Sequence, residues 1–169
     1  FVHLSYSDDL AHDNSEEIRD IVKSEEYQQL FPYVQIKRGT DSKKKWSTTA
    51  GGGVYAVSTG GQITGFGAGE VDDIDDKETE KEIDSILKGA RFSGAIVIDD
   101  PIKPEDALSD VKREKVNQRF ETTIRNRVNS RNTPIVIIMQ RLHENDLCGY
   151  LMKTEPGQWT VLSLLVIEK

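Results

Sequence analysis

Along the chain the spacing of apolar residues changes several times, and each change predicts an element. Phe1-Val2-His3-Leu4-Ser5-Tyr6 reads as a short strand, closed by the turn residues Ser7, Asp8 and Asp9. Ser15 with Glu16 and Glu17 predicts a helix start, with Ile18, Ile21 and Val22 on one face. Ser24-Glu25-Glu26 restarts a short helix that ends near Phe31-Pro32. From residue 33 to 69 the period falls to two, in Val34-Gln35-Ile36-Lys37, Lys45-Trp46-Ser47-Thr48-Thr49 and Val54-Tyr55-Ala56-Val57-Ser58. Glycines 51, 52, 53, 60 and 61 supply turns, so this segment reads as an antiparallel β insertion. Residues 70–84 are acidic and predict a helix with a solvated face that runs to Leu87 and closes at Gly89.

Two later runs have no alternation. Gly94-Ala95-Ile96-Val97-Ile98-Asp99-Asp100-Pro101 is an apolar run bounded by breakers, the pattern of a strand buried on both faces. Pro134-Ile135-Val136-Ile137-Ile138-Met139 repeats it. Between them a proline-started helix is expected from Lys103-Pro104-Glu105-Asp106 to about Asn129, broken near Ser109. Val111, Val116, Phe120, Ile124 and Val128 form its apolar stripe. Residues 144–153 read as a helix and residues 159–167 as a last apolar strand. Strands alternating with helices predict an α/β fold built on a parallel sheet.

That fold class gives the polar residues after each buried run a meaning. Asp99 and Asp100 fall at the carboxyl end of a central strand, the edge where open α/β sheets bind ligands. Two adjacent acids there repel each other and lose hydration unless a cation offsets both, and Mg²⁺ with nucleotide phosphates suits the place. The second run delivers Gln140-Arg141-Leu142-His143-Glu144-Asn145-Asp146-Leu147 to the same edge. Read blandly, the acids belong to a turn and one of them caps the next helix.

Composition narrows the remaining choices. The chain has 169 residues, 36% hydrophobic and 30% charged, with net charge −7, which argues against a general nucleic-acid coat. One element runs the other way: Lys112, Arg113, Lys115, Arg119, Arg125, Arg127 and Arg131 face only Glu114 and Glu121. A solvated face is the default for it, and contact with DNA phosphates or a neighbouring subunit the sharper reading. Cys148 is the single cysteine, which excludes an internal disulfide and a cysteine zinc cluster and fits a reducing compartment. No run reaches membrane-spanning length and no signal peptide is visible. Asp72, Asp76 and Glu80 lack the central Gly and terminal Glu of a calcium loop, and His3 and His12 lack metal-ligand spacing. Gly65, Gly67 and Gly69 precede no Lys-Ser or Lys-Thr and no helix, so a flexible loop is expected rather than a phosphate loop. A start inside a strand pattern and an end inside an apolar run suggest that both ends lie within a larger protein.

Several of these strings together resemble one family. Arg91-Phe92-Ser93-Gly94, Val97-Ile98-Asp99-Asp100-Pro101, Thr133-Pro134-Ile135-Val136 and Met139-Gln140-Arg141-Leu142-His143-Glu144-Asn145-Asp146-Leu147 resemble the large terminase subunit of tailed bacteriophages. Leu4-Ser5-Tyr6-Ser7, Asn14-Ser15, Ile18-Arg19 and Gly65-Phe66-Gly67-Ala68 extend the likeness over nearly the whole chain. Such proteins are ATP-driven motors that pump viral double-stranded DNA into procapsids and cut it with a separate nuclease domain. The resemblance implies a P-loop NTPase-type (ASCE) fold, with residues 1–169 as a partial motor domain and 33–69 as the β insertion. It implies ATP and Mg²⁺ as cofactors, and Asp99 as the Walker B acid holding Mg²⁺ through water. Asp100 stands where the family has a longer catalytic Glu that orients the attacking water. Gln140 and Arg141 match the coupling motif that senses nucleotide, and Arg91 stands where a trans-acting arginine finger has been proposed in some relatives. Implied partners are DNA, a small terminase subunit, a portal protein and further copies in a ring, in the cytoplasm of a bacterial host of a phage or prophage.

No G-x-x-x-x-G-K-[ST] or family variant occurs in the chain. The resemblance implies strand order 5-1-4-3-2, with residues 1–6, 95–99, 135–140 and 159–167 as strands 2, 3, 4 and 5. Strand 1, missing here, belongs between 4 and 5. Little ATP hydrolysis is therefore expected from residues 1–169 alone. Two other readings stand beside this one: a metal-dependent nuclease using Asp99, Asp100 and Asp146, and a non-catalytic remnant or interaction module.

Overall fold

The structure, a computed structural model, describes residues 1–63, 65–69 and 92–164. They form an α/β fold around one mixed, mostly parallel six-stranded sheet. In chain order the strands are β1 (Val2–Ser5), β2 (Ile36–Asp41), β3 (Lys45–Thr48), β4 (Gly53–Ser58), β5 (Ile96–Asp99) and β6 (Ile135–Ile138). Their order across the sheet is β2-β3-β4-β1-β5-β6. As expected, β5 is flanked in parallel by β1 and β6, with Val97 level with His3 on one side and Val136 on the other. The segment 33–69 is antiparallel within itself, yet β4 closes onto β1 in parallel, so it is the sheet's other half and not an appendage.

Helices α1 (Asp8–Lys23) and α2 (Glu25–Leu30) lie on one face, α3 (Asp110–Arg119) and α4 (Leu147–Thr154) on the other. On the α1 face, Val22, Trp46 and Val54 form a small core, and the Trp46 indole donates to Ser15 Oγ at 3.0 Å. The larger core lies opposite, where Val2, Leu4, Tyr55, Val57, Ile96 and Ile98 meet Phe120, Ile124, Leu147 and Leu151.

Several expectations are corrected. Helix α1 starts at Asp8, capped by Ser7, whose hydroxyl accepts from Leu10 N–H. Ser15 is a buried mid-helix residue; Ala11, Ser15 and Val22 are its buried positions, while Ile21 is exposed. The stretch after Pro101 is a 3₁₀ turn, then α3 capped at Ser109, then a π turn (Phe120–Ile124) and a second 3₁₀ turn (Arg125–Arg127). Val111 is exposed, and Arg113 and Asn117 take buried places on that helix instead. The strand β6 is not buried on both faces: Val136 and Ile138 are 42% and 54% exposed. Residues 159–164 form no strand, and the expected helix of residues 70–87 and Arg91 lie outside the described residues. The glycine loop is packed, with Ala68 bridged to Val128 and Phe66 stacked on Tyr55 at 3.8 Å. A side chain at Gly67 would meet Asn129. Among the described residues no helix is long and apolar enough to cross a membrane.

Candidate functional site

The chain leaves β1 through α1 on one face and leaves β5 through α3 on the other. The crevice outside the carboxyl ends of β1 and β5 is therefore the point where crossovers diverge, the place open α/β sheets use for ligands. Asp99 ends β5 there. In the parallel register it shares a face with His3 and Ser5, the face covered by α1. Asn14 of α1 reaches down to it: Asn14 Nδ2 donates to Asp99 Oδ2 at 3.2 Å and lies 3.3 Å from His3 Nε2. Burial holds the pKa of the His3 imidazole below its ordinary value, against the opposing pull of the Asp99 charge.

Asp100 has φ 45°, and among the described residues it is the one non-glycine with a positive φ. Its backbone is clamped from both sides: its N–H donates to Ile138 O, and its carbonyl accepts from Tyr6 N–H, each at 2.9 Å. The left-handed conformation is thus imposed by the neighbouring strands, a strain that Asp tolerates better than most residues and that recurs at functional sites. Pro101 follows, buried, its carbonyl accepting from Thr59 Oγ1 at 3.2 Å.

Neighbouring β6 places Ile138 level with Asp99, so Met139, Gln140 and Arg141 continue beyond the same edge. Gln140 is exposed. Arg141 Nε donates to both carboxylate oxygens of Asp146 at 3.0 Å. Asp146, 1% exposed, also accepts from the N–H groups of Leu142, His143 and Gly149 and so caps α4. Arg141, three residues past the end of β6, is thereby tied to the start of α4. Burial, with the charge of Asp146 adding to it, pushes the pKa of the adjacent Cys148 thiol up.

Asp99, Asp100, Gln140 and Arg141 are thus brought to one edge. Asp146 is committed to Arg141 and to the cap of α4. Among the described residues no group of three or more His, Cys, Asp and Glu gathers around a cation position. A cation beside Asp99 would rest on one or two carboxylates, water and ligand oxygens, which is how Mg²⁺ binds with phosphates. The half-buried Asp99 fits that role, with Oδ2 held by Asn14 and no described residue donating to Oδ1. No protein-family model matches the chain, and no curated protein matches it. The reading of the site rests on its residues.

Much of the basic face of residues 112–131 is consumed inside the fold. Arg113 is buried against Asp110, Arg119 donates to the carbonyls of Thr59 and Gly61, and Arg125 pairs with Glu121 and Glu155. A cavity of about 590 Å³ between α3 and α4 is lined by residues such as Asp110, Asn117, Tyr150 and Lys153, and by none of the site residues. Sequence reasoning missed His3 and Asn14. The signal was parity: in a β1–β5 parallel pair His3 and Asp99 share a face, and Asn14 stands two helical turns after Ser7.

Proposed function

We propose that residues 1–169 are the later part of the ATP-hydrolysing motor domain of a phage large terminase subunit, of P-loop NTPase (ASCE) type. The observation that supports this best is the Asp99-Asp100 pair at the crossover point, with Asp100 clamped at φ 45° between β1 and β6. In this reading Asp99 holds Mg²⁺ through water, and the cation, when bound, neutralises charge on the ATP phosphates. Asp100 orients the attacking water and accepts its proton. Gln140 senses the nucleotide, and Arg141 passes that state through Asp146 to α4. Phosphate-gripping N–H groups must come from a segment other than residues 1–169, which hold no phosphate loop. Arg91 acts in trans on a neighbouring copy in a ring. Double-stranded DNA, a small terminase subunit and a portal protein in the bacterial host cytoplasm complete the assembly.

The test uses a polypeptide that joins residues 1–169 to a phosphate loop. Asp100→Asn lowers ATP turnover by about 10²-fold or more and spares nucleotide binding, the size expected for loss of a proton acceptor. Asp99→Asn weakens use of Mg·ATP. Turnover of Asp100→Asn near the parent rate overturns the assignment, as does robust Mg²⁺-dependent hydrolysis by residues 1–169 alone.

A further inference from the structure

The amide of Asn14 lies between two groups that constrain what it can be. A carboxylate only accepts hydrogen bonds, so the amide atom facing Asp99 Oδ2 must be the NH₂ group. That NH₂ has two hydrogens, and its second neighbour is His3 Nε2 at 3.3 Å. Nε2 must then accept, which makes His3 neutral with its proton on Nδ1. The helix that presents the amide is itself seated: Ala11 and Ser15, on either side of Asn14 along the buried stripe, are 0% exposed, and Ser15 Oγ takes the Trp46 indole N–H.

We infer that Asn14 is the positioning residue of Asp99: shared between Asp99 Oδ2 and His3 Nε2, its amide fixes the carboxylate so that Oδ1 is left for the water shell of a divalent cation. This rests on the reading of Asp99 as the cation-holding acid; the amide–imidazole arrangement stands without it. Outer partners of ligating carboxylates set their orientation, and their loss typically costs 10–100-fold in metal affinity.

The experiment combines the imidazole ¹⁵N spectrum of His3 with Mn²⁺ binding followed by electron paramagnetic resonance, both on the whole chain. The parent shows His3 with its proton on Nδ1, and Mn²⁺ binding that Asp99→Asn removes. Asn14→Leu, similar in size and unable to donate, weakens that Mn²⁺ binding about tenfold and releases His3 to a mixture of tautomers. A merely structural Asn14 would lower the melting temperature and leave both readouts unmoved. Mn²⁺ binding that depends on Asp99 but is unchanged in Asn14→Leu overturns the inference and leaves the cation reading intact. Absence of any Asp99-dependent Mn²⁺ binding overturns the cation reading, and the positioning of an ion with it. The parent's tautomer needs no variant: a proton on Nε2 of His3 overturns the inference even if Asn14→Leu fails to fold.

Discussion

The sheet ends differently on its two sides. At one edge β2 is antiparallel, irregular in register between Ile36 and Asp41, and exposes Lys37 and Arg38. Gly39 there has φ 81°, and Asp41 is held by Arg19 and Lys23. Irregularity, lysine and paired charge are the devices that keep an edge from recruiting another strand. At the other edge β6 is parallel, regular, wholly apolar and half exposed on the α1 face. Parallel strands are ordinarily covered on both faces. Helix α1 lies over β1 and β4, and Val136 and Ile138 are left uncovered directly beside Asp99. One edge is built to meet water and the other is not. Among the described residues, that apolar face lies open directly beside Asp99.

The sharpest way to break this comparison is to cut side chains in the middle and at the open edge. Ile98 is 0% exposed, and Ile98→Ala should cost about 2–5 kcal/mol in urea denaturation. Ile138→Ala, on the open face, should cost under about 1 kcal/mol, and Ile138→Lys should stay within about 0.5 kcal/mol while reducing self-association in sedimentation. Equal losses for Ile98→Ala and Ile138→Ala would show that the face of β6 is covered after all.

A second, smaller effect sits just past the carboxyl end of β5, between β1 and β6. Asp100→Gly, free of strain at φ 45°, should match or exceed the parent in stability, whereas the β-branched Asp100→Val should lose about 1–3 kcal/mol. A stable Asp100→Val would mean that the backbone there is not held as described.

The smallest effect belongs to the closed half. Asp8 Oδ1 accepts from Ser58 N–H at 2.6 Å, tying the first turn of α1 to the end of β4, and this hydrogen bond is the main cause of its lowered pKa. Because the folded value is depressed, the stabilisation is present above the ordinary Asp value of about 3.9 and is lost as pH falls through the folded value. Asp8→Asn should therefore flatten the loss of stability below about pH 4 by a small amount. An unchanged acid limb would remove Asp8 from the account of this half.

What was legible in the sequence follows the same division. The runs ending at Asp99 and Met139 were readable because a β-branched stretch between breakers has few alternatives. Their pairing through β1, β5 and β6 followed, as did the convergence of Asp99, Asp100, Gln140 and Arg141. What lies above a strand is not encoded in its own run, so Ile135–Ile138 read as covered. Ser7 and Ser15 both precede acids, and the pattern reads Ser7 as a turn and Ser15 as the helix start; the helix begins at Ser7 instead, and Ser15 lies mid-helix, where Trp46 claims it. The stripe held at Val116, Phe120, Ile124 and Val128 and failed at Val111, because Arg113, which a hydrophobicity pattern scores as an outward residue, finds the Ala107 carbonyl and Asp110 and takes a buried place.

The central claim is that the carboxyl edge holds a divalent cation through Asp99, and the most direct measurement is paramagnetic broadening of amide resonances by substoichiometric Mn²⁺. The account predicts broadening centred on Asp99, Asp100 and the adjoining residues Tyr6 and Gln140, abolished by Asp99→Asn. Broadening centred elsewhere, on the carboxylates of Asp110 and Glu114 for example, and indifferent to Asp99→Asn would contradict it.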